Sequence, residues 1–383
     1  MADQDEKLYI LPFDHRSSFE RLYGMSGGAV NSSEHDRIVA GKRLIFDAFL
    51  LALETAEDPT GFVILADEQY CESILLEARD RGLIFAVATE KSDQRELAFE
   101  YGTDFGTHIE LFEPTFAKVL VRYNVEDDPD MNRRQASLLH ELSQWLADRR
   151  TRFLMELIVP PTARQLLSTG ESRDRYETEL RPHLMCAAID ELLRAGVHPD
   201  LWKVEGLDRS DNCEAIVAAT RRDNRENVGC IVLGRGEDVD AVTRWLQAAA
   251  PVEGYRGFAI GRTIWLPPLG SYLRGEIDRS SAVGRIAASY LHLVGIYRRH
   301  AVSVAEVIDV KVGEVTVSSR PGAADEVSAG HGRSELVHQD RSPTEQRTAP
   351  ELGETGSGSD SHALSGAGSV DLSQHQCCPS ESE

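Results

Sequence analysis

Eight short apolar runs, each followed by an amphipathic stretch, recur along the first 300 residues and limit what this chain can fold into. They are Leu8–Phe13, Phe62–Ala66, Leu83–Ala88, Ala117–Arg122, Arg152–Val159, Asp200–Val204, Cys230–Leu233 and Gly257–Ile260. Each is of strand length, and most are as continuously apolar as strands covered on both faces must be. Between them lie helical patterns such as Leu138, Leu139, Leu142, Trp145 and Leu146, spaced to face a sheet. Ser33 and Asp36 stand at capping-box spacing where the first long helix opens, and Gly82 and Gly196 sit where helices should stop before the next strand. Eight such units in this length fit a closed (β/α)8 (TIM) barrel better than an open doubly wound sheet. No G-x-G-x-x-G follows the first run, which argues against dinucleotide binding.

In a barrel of this kind the chemistry sits at the carboxyl ends of the strands. There the chain places Asp14, His15 and Arg16 after strand one, Asp67 and Glu68 after strand two, and Glu90, Lys91 and Ser92 after strand three. Strand four carries Lys118, Arg122 and Asn124, strand five Glu156, and strand six Lys203 and Glu205. Strands seven and eight end in Gly234-Arg235-Gly236 and Gly261-Arg262. Nearly every strand thus delivers a charge to one rim.

Only six residues are lysine, against 35 arginines, and three of the six (Lys91, Lys118 and Lys203) fall in this set. A lysine desolvated within a barrel strand and placed near other cations can shed its proton and act as a nucleophile toward a ketone. Arginine cannot replace it, because guanidinium stays protonated. Period-two alternation puts Lys203 and Glu205 inside, with Trp202 and Val204 facing the helices. Lys203 is read as a catalytic amine or a buried ion pair; Lys118 as a second amine, a fixed charge or an ion pair. Glu156, costly to bury without a task or a partner, is the candidate acid/base or a salt bridge to a lysine, and Asp14 a substrate-orienting or proton-moving group or a cap. The two Gly-Arg pairs are the candidate phosphate site, since the loops after strands seven and eight commonly cradle phosphate. Covalent chemistry on a phosphorylated ketone follows, alongside the alternative of plain rim salt bridges. Of twelve histidines only His15 stands at a strand end, and no H-x-H or H-x-x-x-H pair occurs, so neither a metal nor another cofactor is expected, although Asp67 and Glu68 could hold a hard ion.

The net charge of −22 excludes a nucleic-acid binder that relies on a globally basic surface. No apolar run reaches the length of a spanning helix and the N-terminus lacks a signal pattern, so a cytoplasmic protein without membrane contact is expected. Cys71, Cys186, Cys213 and Cys230 read as small apolar residues in a reducing compartment. From residue 301 onward there is no Phe, Trp or Tyr, and 14 acidic residues face 5 basic ones. This reads as a disordered acidic tail, residues 301–383, with one short hairpin pattern at Asp309–Val317 and a Cys377-Cys378 pair that is inert or else binds metal or forms a disulfide.

The runs LPFDHRSSF, ADEQYCESIL, ATEKSD, AKVLVRYN, FLMELIVPPT, DLWKVEGL, IVLGRG and GFAIGRTIW carry a resemblance. Together they resemble the aldolase-like domain at the C-terminus of bacterial 5-dehydro-2-deoxygluconokinases, the 2-deoxy-5-keto-gluconate 6-phosphate aldolase family. More distantly they resemble class I tagatose 1,6-bisphosphate aldolases. The resemblance spans residues 8 to 300. It implies a Schiff-base aldolase of inositol catabolism, with Lys203 forming the imine, Lys118 assisting at the substrate, Glu156 transferring protons, Asp14 a further acid and Arg262 on the phosphate. Gly234, Arg235, Gly236, Gly261, Arg16, Glu90 and Lys91 complete the expected substrate site. The expected partner is a phosphorylated ketose, and a homo-oligomer is expected. The segment Ser17–Asn31 could close over the site. Two alternatives stay open: another ketose phosphate, and a non-catalytic sugar-phosphate-binding barrel.

Overall fold

The computed structural model describes residues 7–25 and 30–313, all within the first of the two compact units, Met1–Val317 and Ser318–Glu383. Eight parallel strands close in sequence order into a barrel: β1 (Leu8–Pro12), β2 (Phe62–Ala66), β3 (Ile84–Ala88), β4 (Phe116–Arg122), β5 (Arg152–Ile158), β6 (Leu201–Glu205), β7 (Gly229–Leu233) and β8 (Tyr255–Ala259). Each lies within two residues of its expected position. Helices follow the strands and cover the outside, the pattern a right-handed β-α-β path imposes.

Alternation divides the core in two. Inside the barrel Leu8, Ile10, Val63, Leu65, Phe116, Leu154, Leu201 and Ile231 form an apolar plug. Their outward neighbours, among them Tyr9, Ile64, Val119, Met155, Trp202 and Val204, pack against Leu139, Leu142 and Leu146 and the other helix faces. Closure between β8 and β1 requires glycine at 257, where φ is +142° and a Cβ would fall 1.8 Å from the Leu8 carbonyl oxygen.

Gly82 and Gly196 end their helices with positive φ, as expected. The capping box of helix Ser32–Thr55 is not Ser33/Asp36 but Asn31/Glu34. Asn31 Oδ1 accepts from the Glu34 amide at 3.0 Å, and Glu34 Oε2 accepts from the Asn31 amide at 2.9 Å. Asn caps as well as Ser, and Glu has the extra methylene that lets it reach back where Asp is shorter.

Two further expectations are corrected. Asp67 does not join the rim: it caps helix Glu68–Asp80 through the Tyr70 amide (2.9 Å) and ion-pairs with Lys42 behind the sheet, both side chains fully buried. Glu68 turns instead to His108, 2.8 Å away. Replacing Asp67 by Ala strands the Lys42 ammonium between the rings of Phe19 and Tyr70. It is expected to cost about 3–5 kcal/mol in denaturant unfolding, with Asp67→Leu/Lys42→Met recovering most of the loss. The last helix, Arg279–Gly313, runs past residue 300, so the first half of the hairpin expected at Asp309–Val317 is helical. Extending an existing helix costs little per residue, and a five-residue alternation is too short to override it. Residues 314–383, with the rest of that hairpin, the acidic tail and Cys377-Cys378, lie outside the described residues, as does the 26–29 portion of the segment expected to close over the site. Among the described residues no helix is long and apolar enough to cross a membrane. Cys71, Cys213 and Cys230 are buried free thiols and Cys186 is partly buried.

Candidate active site

One step above the apolar plug, the inward positions change character. On β4 Phe116 is followed by Lys118, on β5 Leu154 by Glu156, and on β6 Leu201 by Lys203. Glu156 and Lys203 are register partners across β5 and β6. Lys118, Glu156 and Lys203 are 1%, 4% and 3% exposed, so each charge survives only through its neighbours. Lys118 Nζ reaches Asp14 at 2.8 Å, Glu90 at 2.7 Å and Glu156 Oε2 at 3.0 Å. The same Glu156 oxygen accepts from Lys203 Nζ at 2.9 Å. Arg16 completes the set by donating to the Glu90 carbonyl oxygen and, at 2.9 Å, to Glu100. The second carboxylate oxygen of Glu90 accepts from the Leu120 amide at 3.2 Å.

The two lysines therefore have different surroundings. Burial opposes the charge of Lys118, but Asp14, Glu156 and Glu90 outweigh it and hold the ammonium well above the usual lysine range. Lys203 has one carboxylate in contact, Glu156, where Lys118 has three. Burial also opposes ionisation of Asp14 and Glu156, yet Lys118 foremost, with His15 and Lys203 beside Asp14 and Lys203 beside Glu156, keeps both below the usual carboxylate range. Glu90 goes the other way: burial outweighs Lys118 and Arg16 and raises it. His15 is pushed down to about 4 by burial, with the charges of Arg262 and Lys203 adding to it. Its ring meets Trp265 edge-on at 5.6 Å, and Nδ1 stands 3.8 Å from Asp14 with no hydrogen-bond partner. Sequence reasoning placed His15 on the rim but gave it no role beyond that of a lone histidine; the structure makes it an imidazole on the site wall that burial keeps neutral.

These groups line one cavity of about 390 Å³. All twelve residues expected at the site border it: Asp14, Arg16, Glu90, Lys91, Lys118, Glu156, Lys203, Gly234, Arg235, Gly236, Gly261 and Arg262. Ser92 and Arg122, placed on the rim without a role, line it too, as do Ser17, Ser18, Arg21 and Asp93, which were not singled out; Ser17 and Ser18 could have been found as the polar pair that follows Asp14-His15-Arg16 into helix Ser17–Leu22. Glu205 does not. It accepts from the Val159 amide at 2.8 Å and holds Arg235 at 3.3 Å, while burial raises it above the ordinary carboxylate range.

The two Gly-Arg pairs meet on the β7–β8 side. Arg235, at φ +50°, directs its guanidinium to Glu177 (2.7 Å) and Glu205, and its carbonyl oxygen accepts from Arg262. Arg262 has no carboxylate partner among the described residues, and it starts helix Arg262–Leu273, whose N-terminus has no side-chain cap. Gly236, at φ +85°, lies under that guanidinium: a Cβ there would be 2.7 Å from Arg262 Cζ. Gly236→Ala is expected to cost about 1–3 kcal/mol in unfolding from its backbone alone and to displace Arg262, which titration with inorganic phosphate would read as lost binding.

A closed (β/α)8 barrel with a buried lysine-carboxylate array at its mouth is thus the class of protein defined here. The chain belongs to the DUF2090 family, described as an uncharacterized protein conserved in bacteria, which it matches over residues 1–301. No curated protein matches it. Among solved structures it is similar to a Corynebacterium glutamicum protein at 15% identity and TM-score 0.45, covering 75% of this chain and 86% of that one. It is similar to fructose-bisphosphate aldolase of Plasmodium falciparum at 13% identity and TM-score 0.49, covering 77% and 93%. An archaeal fructose-1,6-bisphosphate aldolase, whose catalytic lysine was captured bound to a carbinolamine intermediate, aligns at 12% identity and TM-score 0.46, covering 78% and 96%.

Proposed function

We propose that the protein is a class I aldolase that cleaves 2-deoxy-5-keto-D-gluconate 6-phosphate to dihydroxyacetone phosphate and malonate semialdehyde. The observation that carries this reading is the shared oxygen of Glu156, 2.9 Å from Lys203 Nζ and 3.0 Å from Lys118 Nζ. A proton-transferring carboxylate thereby touches both a lysine fixed as a cation and a lysine with no second carboxylate in contact. The sequence resemblance assigns the same residues to the same roles.

In this mechanism the phosphate lies against Arg262 and the glycine backbone of the β7–β8 side. The neutral amine of Lys203 adds to the C5 carbonyl and water leaves, giving an iminium. Glu156 or Asp14 takes the proton of the C3 hydroxyl as the C3–C4 bond breaks; its electron pair moves into the iminium, and C3 departs as the aldehyde of malonate semialdehyde. The enamine takes a proton at C4, and water hydrolyses the resulting imine to release dihydroxyacetone phosphate and the lysine. Lys118 keeps a fixed positive charge beside the oxygen that develops charge.

Protein supplied with this sugar acid phosphate should release dihydroxyacetone phosphate, read through a coupled dehydrogenase. Release from fructose or tagatose bisphosphate alone would move the substrate assignment to another ketose phosphate. No release from any ketose phosphate would reject the reading in favour of a binding barrel, for which the Lys203–Glu156 ion pair would be structural.

A further inference from the structure

Eight lysine and arginine side chains line the cavity, and five of them are already neutralised: Arg16 by Glu100, Arg21 by Asp93, Arg235 by Glu177 and Glu205, and Lys118 and Lys203 as above. Three have no carboxylate within ion-pairing distance among the described residues: Arg262, Lys91 and Arg122. In a chain of net charge −22 acidic partners are plentiful, so cations left without one on a cavity wall call for another explanation.

Their placement gives it. In a closed ring of eight strands β4 and β8 face each other, and β6 lies midway between them. Arg262 follows β8; Arg122 ends β4 and Lys91 follows β3 beside it, so the unpaired cations form two poles across the cavity, with Lys203 of β6 between them. The second pole is held in place. Arg122 Nη1 donates to the Gln94 carbonyl oxygen at 3.0 Å, which leaves its other N–H groups available, and the Lys91 backbone is fixed by the hydrogen bond its amide N–H donates to the Ala98 carbonyl oxygen at 2.8 Å. Arg122 also borders an adjoining cavity of about 540 Å³, whose acidic residues Asp93 and Asp127 are engaged by Arg21 and Arg95, each at 3.4 Å. An arginine fork beside a lysine ammonium is suited to an oxyanion.

We infer that Lys91 and Arg122 form a second anion subsite, so that the site takes a substrate anionic at both ends. This rests on the aldolase reading, whose substrate carries a carbonyl between a carboxylate and a phosphate, and adds the side chains that hold the second anion. The second anion is a carboxylate or a phosphate, and three ligands without a carbonyl separate the cases by calorimetry on the full chain: glucitol 6-phosphate, gluconate 6-phosphate and glucitol 1,6-bisphosphate. At least one of the two-ended ligands should bind on the order of tenfold or more tightly than glucitol 6-phosphate, and that ligand identifies the second anion. Lys91→Gln/Arg122→Gln should abolish the advantage and leave glucitol 6-phosphate unaffected. Equal affinity of all three for the unsubstituted protein, or an equal loss for all three in the double variant, would overturn the inference. None of these ligands can form an imine, so the result stands or falls separately from that of Lys203.

Discussion

Lys203→Arg is expected to fold like the unsubstituted protein and to lose lyase activity by a factor on the order of 10⁴ or more, the scale seen when a covalent nucleophile is removed. Arginine keeps the positive charge that Glu156 faces, so the ion pair at 2.9 Å can be replaced, whereas the imine cannot. Loss of activity with an unchanged unfolding midpoint therefore separates a nucleophile from a structural ion pair. A variant retaining activity within a few fold would assign Lys203 to charge balance alone.

Lys118→Met should show the opposite balance, a large loss of stability. Asp14, Glu90 and Glu156 are all buried and all touch this one ammonium, so its removal leaves three carboxylates around an apolar side chain. Breaking one buried pair costs about 3–5 kcal/mol, which sets the expected scale. The pH dependence follows from the directions of the shifts. Asp14 and Glu156 are held below their unfolded values chiefly by Lys118, so their stabilisation is complete above the unfolded carboxylate pKa of about 4 and is lost as pH falls through the folded values. Glu90 is raised, so its ionisation already costs stability at neutral pH. Without Lys118, Asp14 and Glu90 lose their nearest counter-charge and move toward the protonated form, while Glu156 keeps only Lys203. The deficit should be full at pH 7 and shrink below about pH 5, as followed by denaturant unfolding at a series of pH values. A deficit independent of pH would mean that the three carboxylates are not balanced by Lys118.

The strands were legible because a doubly covered parallel strand has to be apolar, and on β6 the alternation of side chains gave the inward face as well. That is why Lys203 could be placed facing the barrel axis before any coordinates, whereas Lys118 and Glu156 were placed only on their strands. Partner choice was not legible. Asp67 looked like a rim acid because it follows β2, yet its partner Lys42 comes from a helix behind the sheet, and nothing local in the sequence announces that pairing. Arg235 and Arg262 look equivalent as Gly-Arg pairs, but Glu177 and Glu205 occupy only the first. Arg122 was placed on the rim but given no role, because an arginine ending a strand is ordinary; its interest lies in having no carboxylate partner among the described residues, which is visible only in three dimensions.

Borohydride reduction in the presence of dihydroxyacetone phosphate, followed by peptide mass mapping, tests the imine most directly. The expected result is one stable adduct per chain, on Lys203, absent from Lys203→Arg. Protein that turns over substrate yet carries no adduct, or carries it on Lys118, would contradict the mechanism.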